Sequence, residues 1–220
     1  MRWWQNTLEW LGLHDKIAEQ WRNRVWQDVP LLAIDLELTS LDTSVAAITS
    51  IGWVSGRSGQ IDLSSTFYQV INTQADLQQS PVIHGLTAEH IAMGDALEPA
   101  LRQLSTMLHS HIWVFHHAPL DMQVLSREMQ ALGISLDGLL TYDTLSQEKY
   151  LLQRAQAAFT RNSVTLADSR RRHQLADAPA HNALDDALAT LELAFAQLSQ
   201  LKVLNHKISD LNHCHSLHQY

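Results

Sequence analysis

The stretch LLAIDLEL, residues 31–38, constrains the fold more than any other part of the chain. Pro30 precedes an apolar run, and the run ends in Asp35 and Glu37 with Leu36 between them. A strand sends alternate side chains to the same face. The two carboxylates therefore project side by side from the end of an otherwise hydrophobic element. Like charges at the edge of a core need partners, and these acids are the first candidate functional residues.

Length and composition narrow the class. The 220 residues, 45% hydrophobic and 17% charged, suit one ordinary globular domain. No apolar stretch reaches the length of a membrane span. The opening segment, MRWWQNTLEWLGLHDK, is interrupted by Gln5, Asn6, Glu9 and His14, unlike the apolar core of a signal peptide. A single cysteine, Cys214, fits a reducing compartment, so a cytoplasmic protein is expected. The net charge of −8 argues against broad, non-specific coating of nucleic acid. It is compatible with a cleft that holds phosphate, because acids that bind divalent cations count as negative only in the sequence.

Element patterns run as follows. Residues 1–29 hold five of the seven tryptophans at near-helical spacing and read as an amphipathic helical extension packed on the main domain. Residues 30–203 form that domain. SVAAITSIGWVSG and QIDLSSTFYQVIN follow the first strand as an antiparallel meander. A loop through residues 73–91 leads to a helix over 95–109, and HIWVFHH is a fourth strand. LDMQVLSREMQALG is a helix closed by Gly133, GLLTYDT a fifth strand, and the last long helix spans 182–201. Three strands followed by alternating helix and strand imply an α/β fold with a mixed, five-stranded sheet flanked by helices. Residues 204–220 are His-rich, lack apolar periodicity and read as an unstructured tail.

In the last helix Asp185, Glu192 and Ser199 share a polar face, and Asp185 is placed to support a cap with Asn182. Asp186, turned by about 100°, points to the packed side of Thr190 and Ala194. His181 precedes the helix on a loop and can reach the same region. Asp121 lies just after the fourth strand, in FHHAPLDMQVL. Ends of strands and starts of the following helices are where α/β folds build sites.

Taken together, Asp35-Leu36-Glu37, the segment His116-His117-Ala118-Pro119-Leu120-Asp121, and His181 with Asp186 in HNALDD resemble the three motifs of the DnaQ-like 3′–5′ exonucleases of the DEDDh type, in the ribonuclease H-like superfamily. IHGLTAEHI and YDT are similar to further family segments. The chain departs from the family at Leu38-Thr39-Ser40, where Thr-Thr-Gly is usual, at His117 for Asn, and at Leu120 for Phe.

The resemblance implies a ribonuclease H-like sheet and stepwise hydrolysis at the 3′ end of single-stranded DNA or RNA. It implies two Mg²⁺ or Mn²⁺ ions, about 3.5–4 Å apart, that stabilise the attacking and leaving oxygens. Asp35, Glu37, Asp121 and Asp186 would supply the oxygen ligands that hard cations prefer. His181 would be the general base, since imidazole exchanges protons near neutral pH. Leu38, Thr39, His84, His117 and Leu120 would line the substrate, and His116 would be a structural or wall residue. Other roles compatible with the resemblance are a proofreading, epsilon-like subunit of a DNA polymerase and a non-catalytic nucleic-acid-binding module. A homodimer through the tryptophan-rich extension is a further partner reading. The run Arg170-Arg171-Arg172 reads either as a solvated helix end or as a contact to the substrate's trailing phosphates.

Overall fold

A computed structural model describes residues 17–74, 86–156, 161–179, 181–210 and 216–220. The strands are β1 (Leu31–Leu38), β2 (Ile48–Arg57), β3 (Gln60–Val70), β4 (Ile112–Phe115), β5 (Leu140–Asp143) and β6 (Leu217–Gln219). They form one sheet in the order β3-β2-β1-β4-β5-β6. β1, β4 and β5 are parallel, while β2, β3 and β6 run antiparallel to their neighbours. Around the sheet lie α1 (Glu19–Arg22), α2 (Ala88–Ala92), α3 (Leu97–Ser105), α4 (Ala118–Ala131), α5 (Thr144–Arg154), α6 (Leu166–Arg172) and α7 (Ala183–Gln200).

The period-two pattern of β1 sorts its side chains between two cores. Leu32, Ile34, Leu36 and Leu38 face a cluster with Leu101 and Leu104 of α3 and Met122, Leu125 and Met129 of α4. Leu31 and Ala33 face the opposite cluster, with Ala187, Leu191, Ala194 and Leu198 of α7. Asp35 and Glu37 continue that second face beyond the end of the apolar packing. Burial of both faces is what a central strand requires.

Gly52 decides how closely α7 approaches. It is the cross-strand partner of Asp35. A methyl carbon placed on it would lie 2.4 Å from the carbonyl carbon of Ala183 and 2.4 Å from the amide nitrogen of Leu184. The first turn of α7 thus rests on bare backbone, directly beside Asp35.

Several boundaries differ from the sequence reading. The helix after β4 begins at Ala118 rather than Leu120, because Pro119 occupies a first-turn position where its missing N–H is not needed. Gly133 closes that helix as expected, at φ 71°, and the Ile134 amide donates to the Met129 carbonyl at 2.9 Å. The loop before α3 contains α2, capped reciprocally by Thr87 and His90.

Among the described residues the sheet has six strands, one more than the five expected. Leu217–Gln219 pairs antiparallel with β5, in a segment that reads as an unstructured tail. The strand is three residues long, too short to display a period, and is held from outside. The Asp143 amide donates to the Ser216 carbonyl at 2.7 Å, and the Ala18 amide donates to the Gln219 side chain. Of the N-terminal extension, residues 17–29 are described. Ile17, Trp21 and Trp26 join the α7 core, and Trp26 meets Tyr142 edge-on at 5.7 Å. The remainder of the expected extension, residues 1–16, lies outside the described residues, as do residues 211–215 of the tail.

Replacing Gly52 with Ala forces a methyl group against helix backbone that cannot rotate away. The expected cost is about 1–3 kcal/mol, read as a lower midpoint of urea unfolding with an unchanged slope.

Candidate active site

The carboxyl ends of the parallel strands β1 and β4 lie on one edge of the sheet, the usual place for a site in an open α/β fold. Asp35 and Glu37 come from the end of β1. At Glu37/Leu38 the pairing with β2 slips, and the Thr49 hydroxyl donates to the Glu37 carbonyl at 3.0 Å. Such a bulge turns the strand end locally. Asp186 comes from the first turn of α7, brought over β1 by the contact at Gly52. Each of these three acids offers one carboxylate oxygen, and the oxygens lie within 4.8 Å of one another.

Asp121 enters from the other side of the sheet, on the first turn of α4, and is 5% exposed. It stands apart from the tight trio, yet its charge is felt there. Burial pushes the Asp35 carboxyl well above its ordinary range, helped by the charges of Asp121, Asp186 and Glu37. Asp121 is raised as well, by burial first and then by Asp143 and Glu37, against a lowering contribution from a backbone hydrogen bond. Asp186 is raised to about 6, mostly by burial, with the Glu37 and Asp185 charges adding and the His181 amide opposing.

His181 is exposed and has φ 68°, a left-handed conformation uncommon outside glycine. That turn directs its amide to the Asp186 carboxylate, 2.9 Å away. Asn182 caps α7, accepting from the amides of Leu184 and Asp185 at 3.0 and 3.3 Å. Asn182 thus caps the helix through its own side chain, and half-buried Asp185 supplies an amide to that cap.

The expected substrate-lining residues are placed unequally. Leu38 and Thr39 are buried, and the Thr39 hydroxyl accepts from the Ala47 amide at 3.0 Å. Leu120 is half-buried against the core, His117 is exposed, and His84 lies outside the described residues. His116 is half-buried, and its Nε2 donates to the Val164 carbonyl at 3.1 Å. Burial lowers its pKa to about 4, so it is a neutral packing residue at physiological pH.

Asp143 was not singled out from the sequence, although a lone acid before a helical run is an N-cap signal. One of its oxygens accepts from the Leu145 amide and from the His117 amide, both at 3.0 Å; the other accepts from the Ser146 hydroxyl. It thereby holds the left-handed turn at His117, φ 97°, from which α4 and Asp121 start. The arginine run is not a free basic patch. Arg170 pairs with Glu192, Arg171 with Asp168, and Arg172 with Glu148, at 2.6–2.7 Å.

Three convergent carboxylates, with the proton affinity of Asp35 and Asp186 raised, suit a hard divalent cation, which would take the place of the protons. A mixed sheet bearing such a cluster at its strand ends is the ribonuclease H-like nuclease fold. The chain belongs to the exonuclease family, whose model, described as Exonuclease (RNase_T), matches residues 32–194. It is 25% identical over 124 residues to a PolC-type DNA polymerase III of Mycoplasmopsis pulmonis, which is 56% of this chain and 9% of that protein. The nuclease domain of 3′hExo, a DEDDh family member bound to rAMP, superposes with a TM-score of 0.63 at 14% identity, over 81% of this chain and 95% of that one. Exonuclease I of E. coli, in complex with a dA16 oligonucleotide, gives 0.65 at 12% identity, over 81% of this chain and 42% of that one. Among the described residues, no helix is long and apolar enough to cross a membrane.

The raised Asp186 pKa fixes the sign of a pH effect. The cation-free fold holds this proton more tightly than the unfolded chain, whose value is 3.8. The associated stability is complete below that value and is lost as pH rises through about 6. Added Mn²⁺ should therefore raise the melting temperature more at about pH 7.5 than at about pH 5. Asp186→Asn should raise the melting temperature of the cation-free protein at about pH 7.5 by about 2–4 °C and cancel most of the Mn²⁺ response.

Proposed function

We propose that the protein is a metal-dependent 3′–5′ exonuclease that hydrolyses the terminal phosphodiester of single-stranded DNA or RNA and releases nucleoside 5′-monophosphates. The observation that carries this reading is the meeting of Asp35, Glu37 and Asp186 beside an exposed His181, in a chain of the exonuclease family. The rAMP bound to the 3′hExo nuclease domain and the dA16 oligonucleotide bound to exonuclease I support a 5′-monophosphate product and a single-stranded substrate.

When bound, two Mg²⁺ or Mn²⁺ ions would neutralise the approaching phosphate and the charge that develops on its oxygens. Asp35, Glu37 and Asp186 would hold them, with Asp121 completing the set directly or through water. His181 accepts the proton of the attacking water as its oxygen bonds to phosphorus. The bond to the 3′ oxygen of the preceding nucleotide breaks, and that oxygen leaves as the new 3′ hydroxyl after taking a proton. The left-handed turn at His181 favours this role, since the amide is spent on Asp186 and the imidazole stays exposed. His117 and Leu120, at the start of α4, would face the terminal nucleotide.

The similarity to a PolC-type polymerase favours a second reading, a proofreading module acting beside a polymerase. A preference of about tenfold or more for mismatched over matched primer termini would support it; equal rates would remove it.

Digestion of 5′-labelled single-stranded DNA and RNA should give a ladder that shortens from the 3′ end with Mg²⁺ or Mn²⁺ and none with chelator. Asp35→Ala and Asp186→Ala should each lower kcat by about 10³ or more, and Asp185→Ala by no more than about threefold. Absence of a ladder with either cation ends the exonuclease reading.

A further inference from the structure

The segment between α6 and α7, described over residues 173–179 and 181–182, is a strap that leads to His181 just before α7. Its fastening is unusual. Arg170 is 4% exposed, and its guanidinium reaches both sides of the gap. Nη1 donates to the Ala189 carbonyl in the middle of α7 at 2.7 Å. Nη2 donates to the Ala176 carbonyl on the strap at 2.8 Å and lies 2.7 Å from Glu192 Oε2 on α7. The strap is also held where it begins, by His173 Nε2 against Glu148 Oε2 at 3.0 Å, and where it ends, by the His181 amide on Asp186.

We infer that Arg170 is a positioning residue for His181: its planar fork locks the strap to the same helix that carries Asp186, and so sets the imidazole relative to the carboxylate cluster. The inference rests on the exonuclease reading for the role of His181, and on the geometry alone for the fastening.

Stability does not explain the residue. Burying a charged group against one half-exposed acid is commonly no better for stability than filling the space with an apolar side chain of the same volume. What the guanidinium provides is direction. Its donors diverge in one rigid plane toward two carbonyls and a carboxylate, which a lysine ammonium cannot reproduce. Proton abstraction is sensitive to such placement, and a displacement of about 1 Å can cost about 100-fold in rate.

The test uses Arg170→Met, which keeps much of the volume, and Arg170→Lys, which keeps the charge, each confirmed folded by circular dichroism. In the otherwise native chain, Arg170→Met should lower kcat by about tenfold or more and change KM by less than about threefold, with Arg170→Lys between Met and Arg. In a His181→Ala background the same change should move kcat by less than about twofold, because there is no imidazole left to misplace. An equal loss in both backgrounds, or full activity in Arg170→Met, overturns the inference. If the native chain has no exonuclease activity, the fastening is decided by amide hydrogen exchange. Arg170→Met should then speed exchange of the His181 amide by about tenfold or more, and unchanged exchange overturns it.

Discussion

The contact between Gly52 and the first turn of α7 is the constraint on which the site depends. β2 offers bare backbone at this point, so the helix start rests against the strand pair instead of being held off by a side chain. Asp35 lies across the strand from Gly52, and Asp186 follows three residues after Ala183, so the same contact that packs the helix also sets two carboxylates together. Small residues sustain the approach farther along. Ala187 and Ala194 are buried on the sheet side of α7, and Gly56 lies under the Phe195 ring.

Such an approach concentrates negative charge, and the fold has to tolerate it. Two unit charges about 5 Å apart repel by roughly 3 kcal/mol at an effective dielectric of about 20. Burying an aliphatic or aromatic core side chain contributes about 1.5–3 kcal/mol. One repelling pair is therefore offset by one or two core residues, and both faces of β1 are filled with them. The raised proton affinities of Asp35 and Asp186 show the same balance from the other side: without a cation, protons relieve the cluster. The two cores make the site possible, and the site makes the fold less stable than those cores alone would allow.

What the sequence disclosed follows from the range over which each signal acts. Period two in LLAIDLEL assigned Leu32, Ile34 and Leu36 to one face and the two acids to the other, because alternation is local to the strand. The helical turn angle separated Asp186 from Asp185 for the same reason, and Asp186 is the one in the cluster. β6 was hidden because three residues carry no period and their partners, Ala18 and the β5 residues Leu140, Thr141 and Tyr142, are remote in sequence. The roles of the three arginines were hidden too. A basic run looks alike whether it faces water or acids of other helices; α6 packing between α5 and α7 turns Arg170 to Glu192 and Arg172 to Glu148, while Arg171 stays exposed and pairs with Asp168 on its own helix. Asp143 was legible in principle as a cap, but its second duty, holding the His117 turn, depends on the parallel pairing of β4 with β5.

The loops around the cluster pose a problem that the core cannot solve. A segment beside a charged, solvent-open site has few apolar side chains to bury and few backbone partners. Arg127 on α4 donates to the Thr43 and Ala46 carbonyls of the loop after β1, and Arg170 on α6 donates to the Ala176 carbonyl of the strap before α7. Glu128 and Glu192 balance the two guanidiniums. In both places a rigid helix presents a planar fork to carbonyls that strand or helix pairing would otherwise satisfy. The carboxylates bring the reaction chemistry to one edge of the sheet, while these arginines give shape to the irregular chain on either side of it. Substitution in either fork should therefore disturb geometry before it disturbs folding, because each joins a loop to an element already fixed by its own core.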